Sequence, residues 1–132
     1  MARVALDADV VIAFLDAGDD QHARAVRALG DRLAAGDDIL VGASVYAEVM
    51  VRPLHRGADT AVDEFLDAIG AAVVPVDRGV ARLAAQLRAR HRSLRLPDAL
   101  ALATALACGA ELLTLDQGLR RIAARKRRSE SP

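Results

Sequence analysis

The chain has 132 residues, 53% of them apolar but only 2% aromatic, so Ala, Leu and Val must fill the core of a single domain spanning 1–132. One Cys and three His exclude a disulfide framework, and no Cys/His metal spacing is present. The formal net charge of zero hides an asymmetry: residues 119–132 carry +5 as a basic C-terminal tail, and the acidic body before it carries −5. The bland reading of that tail is a solvated terminus; the functional one is attraction to an anionic polymer.

In chain order, "RVALD" (3–7) reads as a strand and "VVIAFL" as the start of a helix. Residues 19–36 place Ala23, Val26, Leu29 and Leu33 at helical spacing, with acids at the start and Gly36 at the end. "DILVG" (38–42) predicts a second strand, and "ASVYAEVMVRPL" a helix that Pro53 breaks or restarts. Residues 58–70 form another helix, capped near Asp59 or Thr60 and ended by Gly70. "AAVVPV" (71–76) reads as a strand that Pro75 assigns to a sheet edge or strand end. A basic amphipathic helix follows over 78–92, and then 97–109, with Pro97 at its first position. "AELLTLD" (110–116) is the last strand. Alternating strands and helices predict an α/β fold, a parallel sheet covered by helices on both faces, with ligands beyond the carboxyl ends of the strands.

Asp7 and Asp9 interrupt any apolar N-terminal segment, and "ALALATALACG" falls far short of the roughly 20 residues a membrane span needs. No membrane association is expected, and a reducing cytoplasm suits the single Cys108.

Five carboxylates fall where such a fold puts its site: Asp7 and Asp116 at strand ends, Asp9 beside Asp7, Glu48 early in the third helix, and Asp98 at a helix start. Taken singly, Asp9 reads as a helix cap, Glu48 as a solvated residue, Asp116 as a turn former and Asp98 as a complement to its helix dipole. Together they would repel one another in a partly buried pocket, and a divalent cation removes that conflict. Oxygen-only ligands point to Mg²⁺, with Mn²⁺ as the alternative, rather than Zn²⁺. Phosphodiester hydrolysis is the chemistry that such a centre suits. There is no GxxxxGK[ST] or GxGxxG phosphate loop, and Ser44, Ser93 and Thr104 have no His at suggestive spacing.

Four segments in order, "ALDADVVIAFLD", "ASVYAEVM", "LPDALALATAL" and "LLTLDQGL", resemble the motifs of PIN-domain ribonucleases, especially the VapC-type toxins of type II toxin–antitoxin pairs. The resemblance covers nearly the whole chain. It implies a PIN-like three-layer α/β/α fold with a short parallel sheet and a metal-dependent endoribonuclease. It places Asp7, Glu48, Asp98 and Asp116 as catalytic residues, with Asp7, Asp98 and Asp116 on the metal. Thr114 is the candidate to orient a carboxylate or water, whereas Thr104 reads as a packing residue. The position two after the leading acid is often Asn, Ser or Thr in the family and is Asp9 here. Asp9 is therefore either a fifth acid of the site or a helix cap facing away. The resemblance further implies an RNA substrate, a cognate antitoxin and a homodimer. For RNA contact the chain offers Arg88, Arg92 and Arg95 ahead of Asp98, and the basic tail.

Two rivals remain open at this level. "VALDADVVI" also fits the strand–DxD start of haloacid-dehalogenase-like phosphatases, although their phosphoryl-binding Lys has no counterpart, since the lone lysine is Lys126. A PIN-like module that binds RNA or protein without cutting is the other.

Overall fold

The computed structural model describes residues 2–130, the side chains of 128–130 excepted. Four short parallel strands, β1 (Arg3–Leu6), β2 (Asp38–Gly42), β3 (Ala72–Val74) and β4 (Glu111–Leu113), form a sheet in the order β3-β2-β1-β4. Among the described residues seven helices flank it, giving a three-layer α/β fold: α1 (Ala8–Leu15), α2 (His22–Ala34), α3 (Ala43–Arg56), α4 (Asp59–Ala68), α5 (Arg78–Arg90), α6 (Leu96–Ala107) and α7 (Gln117–Glu130). Val4 of the central strand β1 pairs with Ile39 on one side and Glu111 on the other. All four strands end on the same edge, as parallel pairing requires, and the helix starts gather there.

The core is aliphatic, as the composition demands. Val4, Leu6, Val10, Val11, Leu29, Val41, Val45 and Leu102 are fully buried, and the two phenylalanines, Phe14 and Phe65, stack on each other at 5.0 Å. Helix α6 is buried along most of its length through Ala99, Ala101, Leu102, Ala103, Thr104 and Ala105. Small side chains let it lie close against the sheet, and its first turn carries Asp98 to the edge where the strands end.

Four local expectations change. Helix α4 is capped by neither Asp59 nor Thr60, because its cap position is Ala58, which makes no side-chain cap hydrogen bond. The helix expected from residue 19 starts at His22, because Asp16 and Asp19 accept hydrogen bonds from the Gly18 and Gln21 amides and hold the chain in turns. Pro53 does not break α3, which runs through it to Arg56 and closes on Gly57 at φ 70°. Proline within the last turn costs a single ladder bond there, and the Ala58 amide bonds the Pro53 carbonyl at 2.8 Å to close the end. The basic segment from residue 119 is not a loose terminus: it belongs to α7, whose inner face buries Leu119 and Ala123. Residues 131 and 132 lie outside the described part. Pro75 does sit just past β3, which is an edge strand.

Gly42 sets how closely α6 approaches β2. A Cβ there would stand 3.0 Å from Thr104 Oγ1 and 3.3 Å from its methyl carbon. Thr104 is buried and donates to the Leu100 carbonyl at 2.9 Å, so it has little room to retreat. Gly42→Ala is expected to cost about 1–3 kcal/mol in urea unfolding. The double variant with Thr104→Ala should cost measurably less than the sum of the two singles.

Candidate active site

Asp7 follows the last residue of β1 and is only 6% exposed. Its backbone N–H donates to the Leu113 carbonyl at 2.9 Å, extending the β1–β4 pairing by one residue. Its Oδ1 accepts from the Ala8 amide at 2.9 Å and caps α1. Its Oδ2 accepts from the Thr114 hydroxyl at 2.8 Å. Thr114 follows β4 and is 1% exposed. The same hydroxyl lies 3.2 Å from Asp9 Oδ2, which also accepts from the Leu115 amide at 3.1 Å. The Asp116 amide in turn donates to Thr114 Oγ1 at 3.1 Å. One threonine thus joins the ends of β1 and β4 and the starts of α1 and α7.

A hydroxyl has a single hydrogen to donate, and the shorter contact gives it to Asp7. The contact with Asp9 is then a hydrogen bond only when the Asp9 carboxyl carries a proton. The electrostatics agree. Burial first, and the charge of Asp9 second, push Asp7 up to about 7, against the opposing bonds from Thr114 and Ala8. Burial likewise pushes Asp9 up, with the Leu115 amide the main opposing influence. Without a cation the pair therefore holds a proton up to near neutrality.

The remaining acids surround this pair. Asp98, in the first turn of α6, lies 3.6 Å from Arg95 Nε. Its charge acts on both Asp7 and Glu48. Glu48 is exposed on α3 and is raised by partial burial and by Asp98, with Arg95 pulling the other way. Asp116 is exposed, acts on Asp9, and accepts from the Leu119 amide at 3.0 Å, capping α7. All five carboxylates thus form one electrostatic unit at the carboxyl edge of the sheet. Asp9 faces into it rather than away.

The donors fit a hard divalent cation. Every candidate atom is an oxygen, and Asp9 Oδ1 is buried with no hydrogen-bond partner. Among the described residues, no group of three His, Cys, Asp or Glu side chains has ligating geometry as it stands. Asp98 is turned to Arg95 and Asp116 to its own helix. Both contacts are of a kind that a side-chain rotation exchanges for a cation.

Sequence reading missed the Leu115 amide on Asp9 and the Arg95–Asp98 pair. The second had a signal, since residues three apart at a helix start face each other. The first had none, because its partners are 106 residues apart. Of the three expected RNA-contacting arginines, Arg95 is therefore beside the acids. Arg88 and Arg92 are exposed on and just beyond α5.

A parallel α/β sheet with an all-oxygen acidic centre on its carboxyl edge defines the class of protein. The chain belongs to the PIN-domain family, whose model matches residues 4–125. That match also sets aside the phosphatase alternative. A search of curated proteins finds no match. Among solved structures the chain is similar to Mycobacterium tuberculosis VapC20, described as a sarcin–ricin-loop-cleaving toxin, at 20% identity and TM-score 0.71 over 90% of this chain and 94% of that one. It is similar to a toxin–antitoxin complex from Klebsiella pneumoniae at 24% identity and TM-score 0.68, covering 86% of each chain. A third is FitAcB from Neisseria gonorrhoeae, at 23% identity and TM-score 0.68 over 92% of this chain and 93% of that one. At these identities the likeness is one of fold. Among the described residues no helix is long and apolar enough to cross a membrane.

The raised Asp7 carboxyl has a pH signature. Between about pH 4 and pH 7 the folded protein keeps a proton that the unfolded chain has released. Metal-free stability should therefore fall as pH rises through that window and level off above it. Asp7→Asn should flatten the profile and be the more stable protein at pH 8, by on the order of 1–3 kcal/mol in urea unfolding with chelator present. A less stable Asp7→Asn protein at pH 8 would contradict this electrostatic account.

Proposed function

We propose that the chain is a divalent-metal-dependent endoribonuclease acting as the toxin of a toxin–antitoxin pair. The observation that carries this reading is the mutually repelling pair of buried Asp7 and half-buried Asp9, with an unsatisfied Asp9 oxygen, at the carboxyl edge of the sheet. Membership of the PIN family and the toxin structures of like fold support it.

Asp7, Asp98 and Asp116 would hold Mg²⁺ or Mn²⁺, with Asp9 through its free oxygen. The bound ion supplies Lewis-acid polarisation of the phosphodiester and a nucleophilic water at neutral pH. The chain's own residues do the rest. Thr114 fixes the Asp7 carboxylate through its hydroxyl, and the Leu115 amide fixes that of Asp9. In the metal-free chain Asp116 holds the start of α7 in place through the Leu119 amide. Glu48, exposed and with a raised proton affinity, takes up or returns a proton as water adds to phosphorus and the leaving oxygen departs.

The antitoxin has a place to lie. A groove of about 610 Å³ between α1, α3 and α4 is walled by Ile12, Leu15, Val49, Val51 and Val62 and opens beside Glu48. An apolar antitoxin segment fits this groove, and a basic side chain on it would meet the acids. Homodimerisation and cytoplasmic action belong to the same reading.

Purified protein is expected to cut single-stranded RNA in Mg²⁺ or Mn²⁺ and not in chelator. Asp98→Asn should reduce cleavage by at least about 100-fold while preserving the fold. Cleavage that survives Asp98→Asn would contradict the acidic centre as the seat of cutting, and absence of cleavage with both ions would favour a PIN-like module that binds without cutting.

A further inference from the structure

A second cavity, of about 720 Å³, is a cleft between α7 and the loop before α6. It opens at Asp98 and Asp116 and then runs along α7, away from the acids. Gly118, Arg121, Ile122 and Arg125 present one face of that helix to it, at the i, i+3, i+4, i+7 spacing of a single stripe. Ser93 and Leu94 form the opposite wall. We propose that this cleft is the RNA track of the enzyme, in which Arg121 and Arg125 bind two backbone phosphates and position the strand across the acidic centre. The proposal rests on the nuclease reading of that centre.

Charge and lining both favour an RNA strand. Five carboxylates at one edge repel a polyanion, so a phosphodiester reaches them only if cations nearby hold its neighbouring phosphates. Arg121 and Arg125 are exposed and stand one helical turn, about 6 Å, apart on the face that lines the cleft. Arg121 donates to the Gln117 carbonyl of its own helix through Nε at a long 3.4 Å, which leaves its terminal nitrogens for a phosphate. The helix is anchored where the grip is needed: Arg120 donates to the Thr114 carbonyl at 2.9 Å, and Leu119 and Ala123 are buried beneath. Half-buried Ile122 with buried Leu94 and Leu119 gives the cleft an apolar floor suited to sugar faces. No aromatic residue lines it, so the strand is held by its backbone and not by stacked bases. Arg88 and Arg92 do not border the cleft, which moves the expected RNA contacts from α5 to α7.

The test is fluorescence anisotropy with a labelled single-stranded RNA oligonucleotide, using the full chain in an Asp98→Asn background so that the RNA stays intact. Adding Arg121→Ala and Arg125→Ala should weaken binding about 10-fold or more and lower the log–log salt slope by about 1.4 for two lost phosphate contacts. Arg27→Ala, on an exposed part of α2, controls for the loss of a charge and should leave the affinity unchanged. Lysine at both positions should restore part of the affinity and the full slope. Thermal melting verifies that the exposed substitutions leave the fold intact. Unchanged affinity and slope in the Arg121→Ala/Arg125→Ala protein would overturn the proposal. So would loss of binding through Arg88→Ala/Arg92→Ala instead, or binding of an acidic peptide but not of RNA. RNA bound through α7 but never cut by the unsubstituted protein would support the track and sink the nuclease reading. Cleavage at unaltered KM without the two arginines would do the reverse.

Discussion

Asp7 is the constraint on which the rest of the site depends. Its carboxyl is buried at the end of the central strand, with a second carboxyl beside it, and neither burial nor the neighbour favours its charge. Three hydrogen bonds make the position tolerable: the Leu113 carbonyl takes its amide, the Ala8 amide caps one oxygen, and Thr114 donates to the other. Each of these comes from an element that packing already fixes. The apolar strand and helix on either side leave the group little access to water. The fold therefore holds charge where the metal-free chain is least stable, as functional sites commonly do.

The same geometry links fold to chemistry. β1 and β4 lie side by side, so the residues that follow them, Asp7 and Thr114, meet although they are 107 positions apart. Asp9 enters the site because α1 begins at Ala8 and its second residue turns Oδ2 toward the β4 end, where the Leu115 amide donates to it. Close packing of α6 against Gly42 brings Asp98 to the same edge. Asp116 closes the ring while starting α7, whose outer face carries arginine. A single acidic centre is thus flanked by an apolar groove on the α3 side and a basic cleft on the α7 side. Two surfaces of opposite character meeting at one set of acids suit the nuclease, held in check by a partner, that we propose.

Much of this was legible in the sequence, and the limits have physical causes. Asp7 and Asp98 stood out because each interrupts apolar sequence, where an unpaired charge is costly. The parallel sheet followed from alternating strand and helix patterns, and the edge position of β3 from Pro75. Asp9 was ambiguous because a cap and a site acid look alike at a helix start. Pro53 misled because the rule for helix interiors weakens in a final turn. Thr114 ranked below the acids in the sequence, since nothing local reveals that its hydroxyl joins two carboxyls from a distant strand. The arginines of 119–128 read as a solvated tail because charge there outweighs the sparse apolar stripe of Leu119 and Ala123.

The central claim is that the Asp7–Asp9 pair is the seat of a divalent cation, which must displace the proton the pair otherwise holds. Calorimetric titration of the metal-free protein with Mn²⁺ at pH 6.5, in buffers of different ionisation enthalpy, counts that proton. The account predicts release of about one proton per ion bound, declining toward zero at pH 8.5. Binding at pH 6.5 with no proton released, or no binding at either pH, would contradict it.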